Sequence, residues 1–204
     1  MMHILLTDIT SCPRCGPGFG LILLVEEITD RRVQHGWLGC PNCRERYRIA
    51  DGVADLRGGG EPLEPSAAAA PGTHDAARLA ALAGVTHGPA YLLVAGPASA
   101  HAAALAELLP EVHVIAAAGE AGSAHTDVTR LLVARALPFY SGRLAGVVLS
   151  GAAAAALLEE GARVLAPGGR LVLEPVPGDA ADRIERAGLR MMAVAPDVAV
   201  AARA

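Results

Sequence analysis

Four cysteines, Cys12, Cys15, Cys40 and Cys43, stand as two Cys-x-x-Cys knuckles, SCPRCG and GCPNCR, with residues 16–39 between them. Two residues between thiolates let a tight turn present both sulfurs to one ion, and two such turns complete a tetrahedral four-thiolate site. Such a site is closed, with no coordination position left for water or substrate, so its chemistry is structural rather than catalytic. An iron–sulfur cluster would use the same residues. Two disulfides would need an oxidising compartment, and a redox pair would need a thioredoxin-like context that the rest of the chain does not supply. The pattern predicts one structural zinc ion.

The segments that must position these thiolates are β-rich: GLILLVEEIT leads out of the first knuckle and ERYRIADGVADL out of the second. Residues 1–57 therefore read as a zinc ribbon. A unit of about 60 residues buries little core, so metal binding, about 10–16 kcal/mol in comparable small sites, is what makes it fold. If RERYRI is a strand, Arg44, Arg46 and Arg48 project from one face as a candidate RNA-phosphate stripe, with Arg31 and Arg32 on the hairpin. Residues 1–58 carry seven arginines and seven acidic residues, and this balance favours a plain solvated face.

From Arg57 to His74 the composition shifts to RGGGEPLEPSAAAAPGTH, without an amphipathic period, which predicts a linker over 58–74 crossed by few contacts. Residues 75–204 alternate β-like and alanine-rich helical runs, the pattern of βαβ units and a mostly parallel, doubly wound sheet. AYLLVAG, EVHVIAA, LAGVVLS, LVLEPV, RMMAVAP and VAVAAR read as strands, with a further short strand around Leu132–Arg135. SAHAAALAEL, the region from His125 to Leu132, GAAAAALLEEGARVL and DAADRIERAG read as helices.

Hydrophobic residues make up 52% of the chain and charged residues 19%, ample for a buried core and far from a disordered composition. The uncharged run Leu144–Leu158, between Arg143 and Glu159, is too short to span a bilayer. The start, MMHILLTDIT, lacks a basic n-region, so a cytoplasmic location is expected. All basic residues are arginine and the formal net charge is -4, so any nucleic-acid binding must be local.

The run CPRC, a β-hairpin, then GCPNCRERYRIADGVADL resembles the zinc ribbon of the small activator subunits of tRNA and protein methyltransferases. Tyr47, Ile49, Asp51, Gly52 and Val53 match the aromatic, isoleucine and Asp-Gly-hydrophobic turn of that family. This likeness implies a module for docking a protein partner or contacting RNA. The stretch from Ala136 to Gly178 is similar to the second half of class I methyltransferases that use S-adenosylmethionine. Leu137, Pro138 and Phe139, and then Arg163, Val164, Leu165, Pro167, Gly168, Gly169, Arg170 and Leu171, match in order. The likeness implies a Rossmann-like class I methyltransferase fold for residues 75–204.

On the cofactor side the sequence departs from that family. Aligned on Gly96, the three expected glycines are Gly96, Ala98 and Ala100, and the acidic position before them is Val94. The ribose-binding acid would fall near Ala116 or Ala117, with Glu120 a turn too late. Two further carboxylates fall near Ala134–Ala136 and at Ala145. Ligand polar groups without partners cost about 1–3 kcal/mol each, so Gly96 is left as the vestige of a degenerate S-adenosylmethionine site.

Other chemistry has less support: His74, His87, His101, His113 and His125 lack metal spacing, Ser99 and Ser150 lack a nucleophile elbow, and Glu159 with Glu160 read as a solvated helix end. The sequence therefore points to a non-catalytic pseudo-methyltransferase with a structural zinc ribbon, a structural or regulatory subunit that binds a protein partner. The alternatives are an active S-adenosylmethionine-dependent methyltransferase acting on RNA or protein, and an RNA-binding zinc-ribbon module using Arg44, Arg46 and Arg48.

Overall fold

The computed structural model describes residues 1–60, 76–118 and 127–204. Its first part is short strands: β1 (Met2–His3), β2 (Ser11–Cys12), β3 (Gly16–Gly20), β4 (Ile22–Thr29), β5 (Arg32–Gly39), β6 (Arg46–Ala50) and β7 (Val53–Asp55). Then come α1 (Ala76–Ala83), β8 (Ala90–Ala95), α2 (Ala102–Leu108), β9 (Val112–Ala118), β10 (Val128–Leu132) and β11 (Leu144–Ser150). The remaining elements are α3 (Ala152–Ala156), α4 (Leu158–Val164), β12 (Leu165–Glu174), α5 (Ala180–Arg186), β13 (Leu189–Val194) and β14 (Ala199–Arg203).

Strands β8–β12 are parallel, in the order β10-β9-β8-β11-β12, and antiparallel β14 and β13 close that side. Because the pleat alternates, Leu93 and Ala95 of β8 join one core with Ile115, Val147, Leu149, Leu171 and Leu173. Leu92 and Val94 join the other with Val114, Val148 and Val172. Burial on both faces explains why these strands read as continuous apolar runs. Helices α1 and α2 pack on the second face, while α3, α4 and α5 and the ribbon cover the first.

Two tight turns shape the ribbon. Asp51 (φ 50°) and Gly52 (φ 74°) are both left-handed, the geometry of a two-residue hairpin loop, and they join β6 to β7. Asp30 (φ 47°) and Arg31 (φ 62°) do the same between β4 and β5.

Several expectations need correction. Few contacts were to cross between ribbon and parallel sheet, yet β7 pairs in parallel with β10, Arg130 opposite Val53 and Leu132 opposite Asp55. Among the described residues one twelve-stranded sheet therefore runs through both parts. Their first core is shared as well, with Leu38, Ile49 and Leu56 clustered with Leu131 and Phe139. The cause is exposure: β10 would otherwise be a bare sheet edge, and β7 covers it. The helix expected up to Leu132 and the strand expected from Leu132 are instead the single strand Val128–Leu132, since Val128, Thr129 and Leu131 are buried against neighbouring strands. The helix expected from Gly151 is broken at Leu157. Residues 61–74 of the expected linker, with His74, Glu120 and His125, lie outside the described residues.

Candidate functional site

The knuckles converge at one end of the ribbon. The thiol sulfurs of Cys12, Cys15, Cys40 and Cys43 lie within 4.8 Å of one another, and all four cysteines are free. Cys12 Sγ is 3.8 Å from Cys43 Sγ, and Cys15 Sγ is 3.8 Å from Cys40 Sγ. Sulfurs at zinc–thiolate distance on a tetrahedron stand about 3.8 Å apart, so the geometry as well as the donor set fits a four-coordinate ion. Groups around the sulfurs orient them: the Cys15 N–H and the Asn42 side-chain amide donate to Cys12 Sγ and Cys15 Sγ at 3.4 and 3.3 Å, and Tyr47 Oη lies 3.3 Å from Cys12 Sγ.

The thiols do not ionise alike. Burial pushes Cys40 up, but backbone N–H groups of Cys43 and Asn42 favour its thiolate and bring it down to about 7. At Cys43 the Glu45 backbone N–H favours the thiolate, yet burial and the neighbouring sulfurs prevail and raise it to about 12. Negative sulfurs this close repel one another, and a divalent cation at their centre is the charge that relieves it.

The first knuckle is tied to the second half of the chain. The Ser11 N–H donates to the Pro138 carbonyl at 2.9 Å, and the Tyr140 N–H donates to the Ile9 carbonyl at 2.9 Å. From the other side, Arg163 donates to the carbonyls of Leu137 and Phe139, both at 2.8 Å, and Glu160 accepts from the Leu137 N–H at 2.8 Å. Glu160 and Arg163 also pair at 2.8 Å. Glu160 is thus a half-buried clamp on the Leu137–Tyr140 loop, correcting its reading as a solvated helix end. Glu159 pairs with Arg183.

The loop after β8 tells a different story. Gly96 has φ 78°, and a Cβ there would overlap the Ser150 carbonyl oxygen, so glycine is required for a close approach of this loop to the end of β11. The fully buried Ser150 hydroxyl donates to the Ala95 carbonyl at 2.8 Å and accepts from the Ala98 N–H at 2.7 Å. Ala98 is itself fully buried, and Pro97–His101 forms a 3-10 turn. Sequence reasoning names Ser150 only as a serine without a nucleophile elbow and misses this role, because its partners are 52 and 55 residues away.

The other aligned positions scatter. Val94, Ala116 and Ala117 are buried core, and Ala134 is buried after β10. Ala145 sits at the opposite end of the sheet, near the N-terminus of β11, where it lines a cavity with Gly84–Ala90 and Ala166–Gly169. Its methyl group therefore bears on the packing of that end and not on the Gly96 loop. His113, in β9, stacks on Tyr91 at 5.3 Å and lies 5.1 Å from the ring of His3. Of the arginine stripe, Arg46 and Arg48 share the outer face of β6. Arg44, at φ 63°, belongs to the knuckle turn, and Arg32 lies at the far end of β5, bonded to Asp127. No helix among the described residues is long and apolar enough to cross a membrane.

No family model matches this sequence, and no curated protein matches it. Solved structures do. Geranyl diphosphate C-methyltransferase from Streptomyces coelicolor A3(2), solved with S-adenosyl-L-homocysteine, superposes with a TM-score of 0.53 and 13% identity over 63% of this chain and 78% of that one. A methyltransferase of Burkholderia thailandensis that acts on 1,6-didemethyltoxoflavin gives a TM-score of 0.49 and 16% identity, over 63% and 76% of the two chains. A chain from a complex containing the Haloferax volcanii Trm112 methyltransferase activator gives 0.44 and 18%, over 58% and 67%. At such identities the likeness is one of fold: this chain has the Rossmann-like fold of class I methyltransferases.

Proposed function

We propose that this chain is a non-catalytic relative of class I methyltransferases, with a structural zinc ribbon built onto its sheet edge, that serves as a structural or regulatory subunit of a protein complex. The observation that carries the reading is the closure of the Gly96 loop by Ser150. In this fold the crevice beyond the carboxyl ends of the strands is where ligands are held. Here the Ala98 N–H and Ala95 carbonyl are engaged by a buried hydroxyl rather than facing that crevice. Apolar Val94, Ala116 and Ala117 offer no group to an amine or a ribose.

Zinc would be held by Cys12, Cys15, Cys40 and Cys43, and it would supply a cross-link rather than a reaction centre. Its place in the architecture supports a supporting role, since Ser11 beside the first ligand is bonded to the Leu137–Tyr140 loop. Native mass spectrometry of the protein drawn from its own cells tests the reading. A stoichiometric protein partner with one zinc per chain is expected, and a free chain carrying S-adenosylmethionine would overturn it.

A further inference from the structure

The outer face of the ribbon holds a second constellation, separate from the thiolates. Trp37 of β5 lies opposite Arg48 of β6, and the Arg48 guanidinium sits over the indole, 5.3 Å from its centroid. The indole N–H donates to Glu26 at 2.9 Å, which fixes the ring. Beside it opens a cavity of about 620 Å³, lined by Trp37, Arg46, Arg48, Arg57 and the bare backbone of Gly58–Gly60.

The count of charges in this segment is balanced, but their placement is not. Of the carboxylates at the cavity, Glu45 is engaged by Arg14 at 3.2 Å and Asp55 by Arg57 at 2.5 Å. Arg46 and Arg48 are exposed, and among the described residues neither has a carboxylate partner. Two guanidiniums without a carboxylate partner among the described residues, a fixed indole and glycine backbone that lets a chain approach closely are what single-stranded nucleic acid needs. Its phosphates take the arginines and its bases take an aromatic face. The volume suits a nucleotide-sized group.

We infer that the Trp37–Arg46–Arg48 cavity binds single-stranded RNA, phosphate on the two arginines and base against the ring. An acidic protein segment would satisfy the arginines but bring no planar base to the ring. The site goes beyond the subunit role above and does not depend on it.

Trp37 is the only tryptophan, so its fluorescence reports on this cavity alone. Titrating the full-length, zinc-loaded protein with oligouridylate of about ten nucleotides should quench it saturably. Affinity should fall with salt at a slope of about -1.4, two phosphates' worth. Arg46→Ala with Arg48→Ala, both on an exposed face, should weaken binding about tenfold or more and flatten the slope. Trp37→Ala, followed by anisotropy of labelled RNA, should weaken it at least about fivefold. Zinc content and melting temperature verify that each variant is folded. Absence of saturable quenching, indifference to the double arginine change, or equal affinity for poly-glutamate would overturn the inference, the last in favour of an acidic protein partner.

Discussion

The two ends of this molecule that could hold a small group are built on opposite principles. At the knuckles, four ligands come from two short turns, converge within 4.8 Å and are held by their own backbones. At the Gly96 loop the decisive residue comes from another strand, and its hydroxyl fills a place between two backbone groups. The first arrangement gathers four thiols whose ionised forms repel one another, a repulsion that a bound cation would relieve. The second engages the Ala98 N–H and the Ala95 carbonyl within the protein. A shared fold therefore says little about what either end binds, and the polar groups left without partners say more.

The sharpest way to break this comparison is Cys40→Ser. It removes one of four thiolates, and a loss of more than about 4 kcal/mol is expected, because in so small a unit metal binding is folding energy. Since β7 covers β10 and the first core is shared, the damage should spread past the ribbon. Hydrogen exchange should rise in β10 as well as in β5 and β6, together with loss of zinc by elemental analysis. Protection unchanged in β10 would mean the ribbon merely hangs on the sheet.

Ser150→Ala comes next. It leaves the Ala98 N–H and Ala95 carbonyl without their buried partner, at a cost of about 1–3 kcal/mol in denaturant unfolding. Arg163→Ala, which frees the carbonyls of Leu137 and Phe139, should cost about 1–2 kcal/mol, reduced because the side chain is partly solvated. Its proteolytic signature should be cleavage near Tyr140, with zinc retained.

The smallest effect is one of pH. Burial first, then His113 and Arg32, hold His3 below 6.5, and burial and then Arg32 do the same for His113. Both imidazoles are neutral in folded and unfolded chains well above 6.5. On acidification the unfolded chain takes up protons first, so stability should fall from 6.5 down to the lower folded values and then level off. His113→Asn should flatten that part of the stability-against-pH curve.

How much of this was legible beforehand follows from where each partner sits in the chain. The cysteine spacing is local, and so is the Asp51–Gly52 turn, so both could be read directly. The parallel strands announced themselves as apolar runs because both faces are covered. The pairing of β7 with β10 could not be read, since it joins Ala54 to Leu131 across much of the chain and rests on an edge needing cover. Glu160 looked like any acidic residue early in a helix, and only the loop folded back on it makes it a clamp. Ser150 was dismissed for lacking a nucleophile motif, although a serine ending an apolar strand before a glycine is a fair signal of a hydroxyl meeting backbone.

The central claim is that the Gly96 loop, closed by Ser150, does not take up the cofactor of its fold. Isothermal titration of the zinc-loaded protein with S-adenosylmethionine and S-adenosylhomocysteine tests it most directly, and should be repeated on the native complex. No heat of binding in either preparation is predicted. A dissociation constant of about 10 μM or tighter, equivalent to about 7 kcal/mol, would contradict the account.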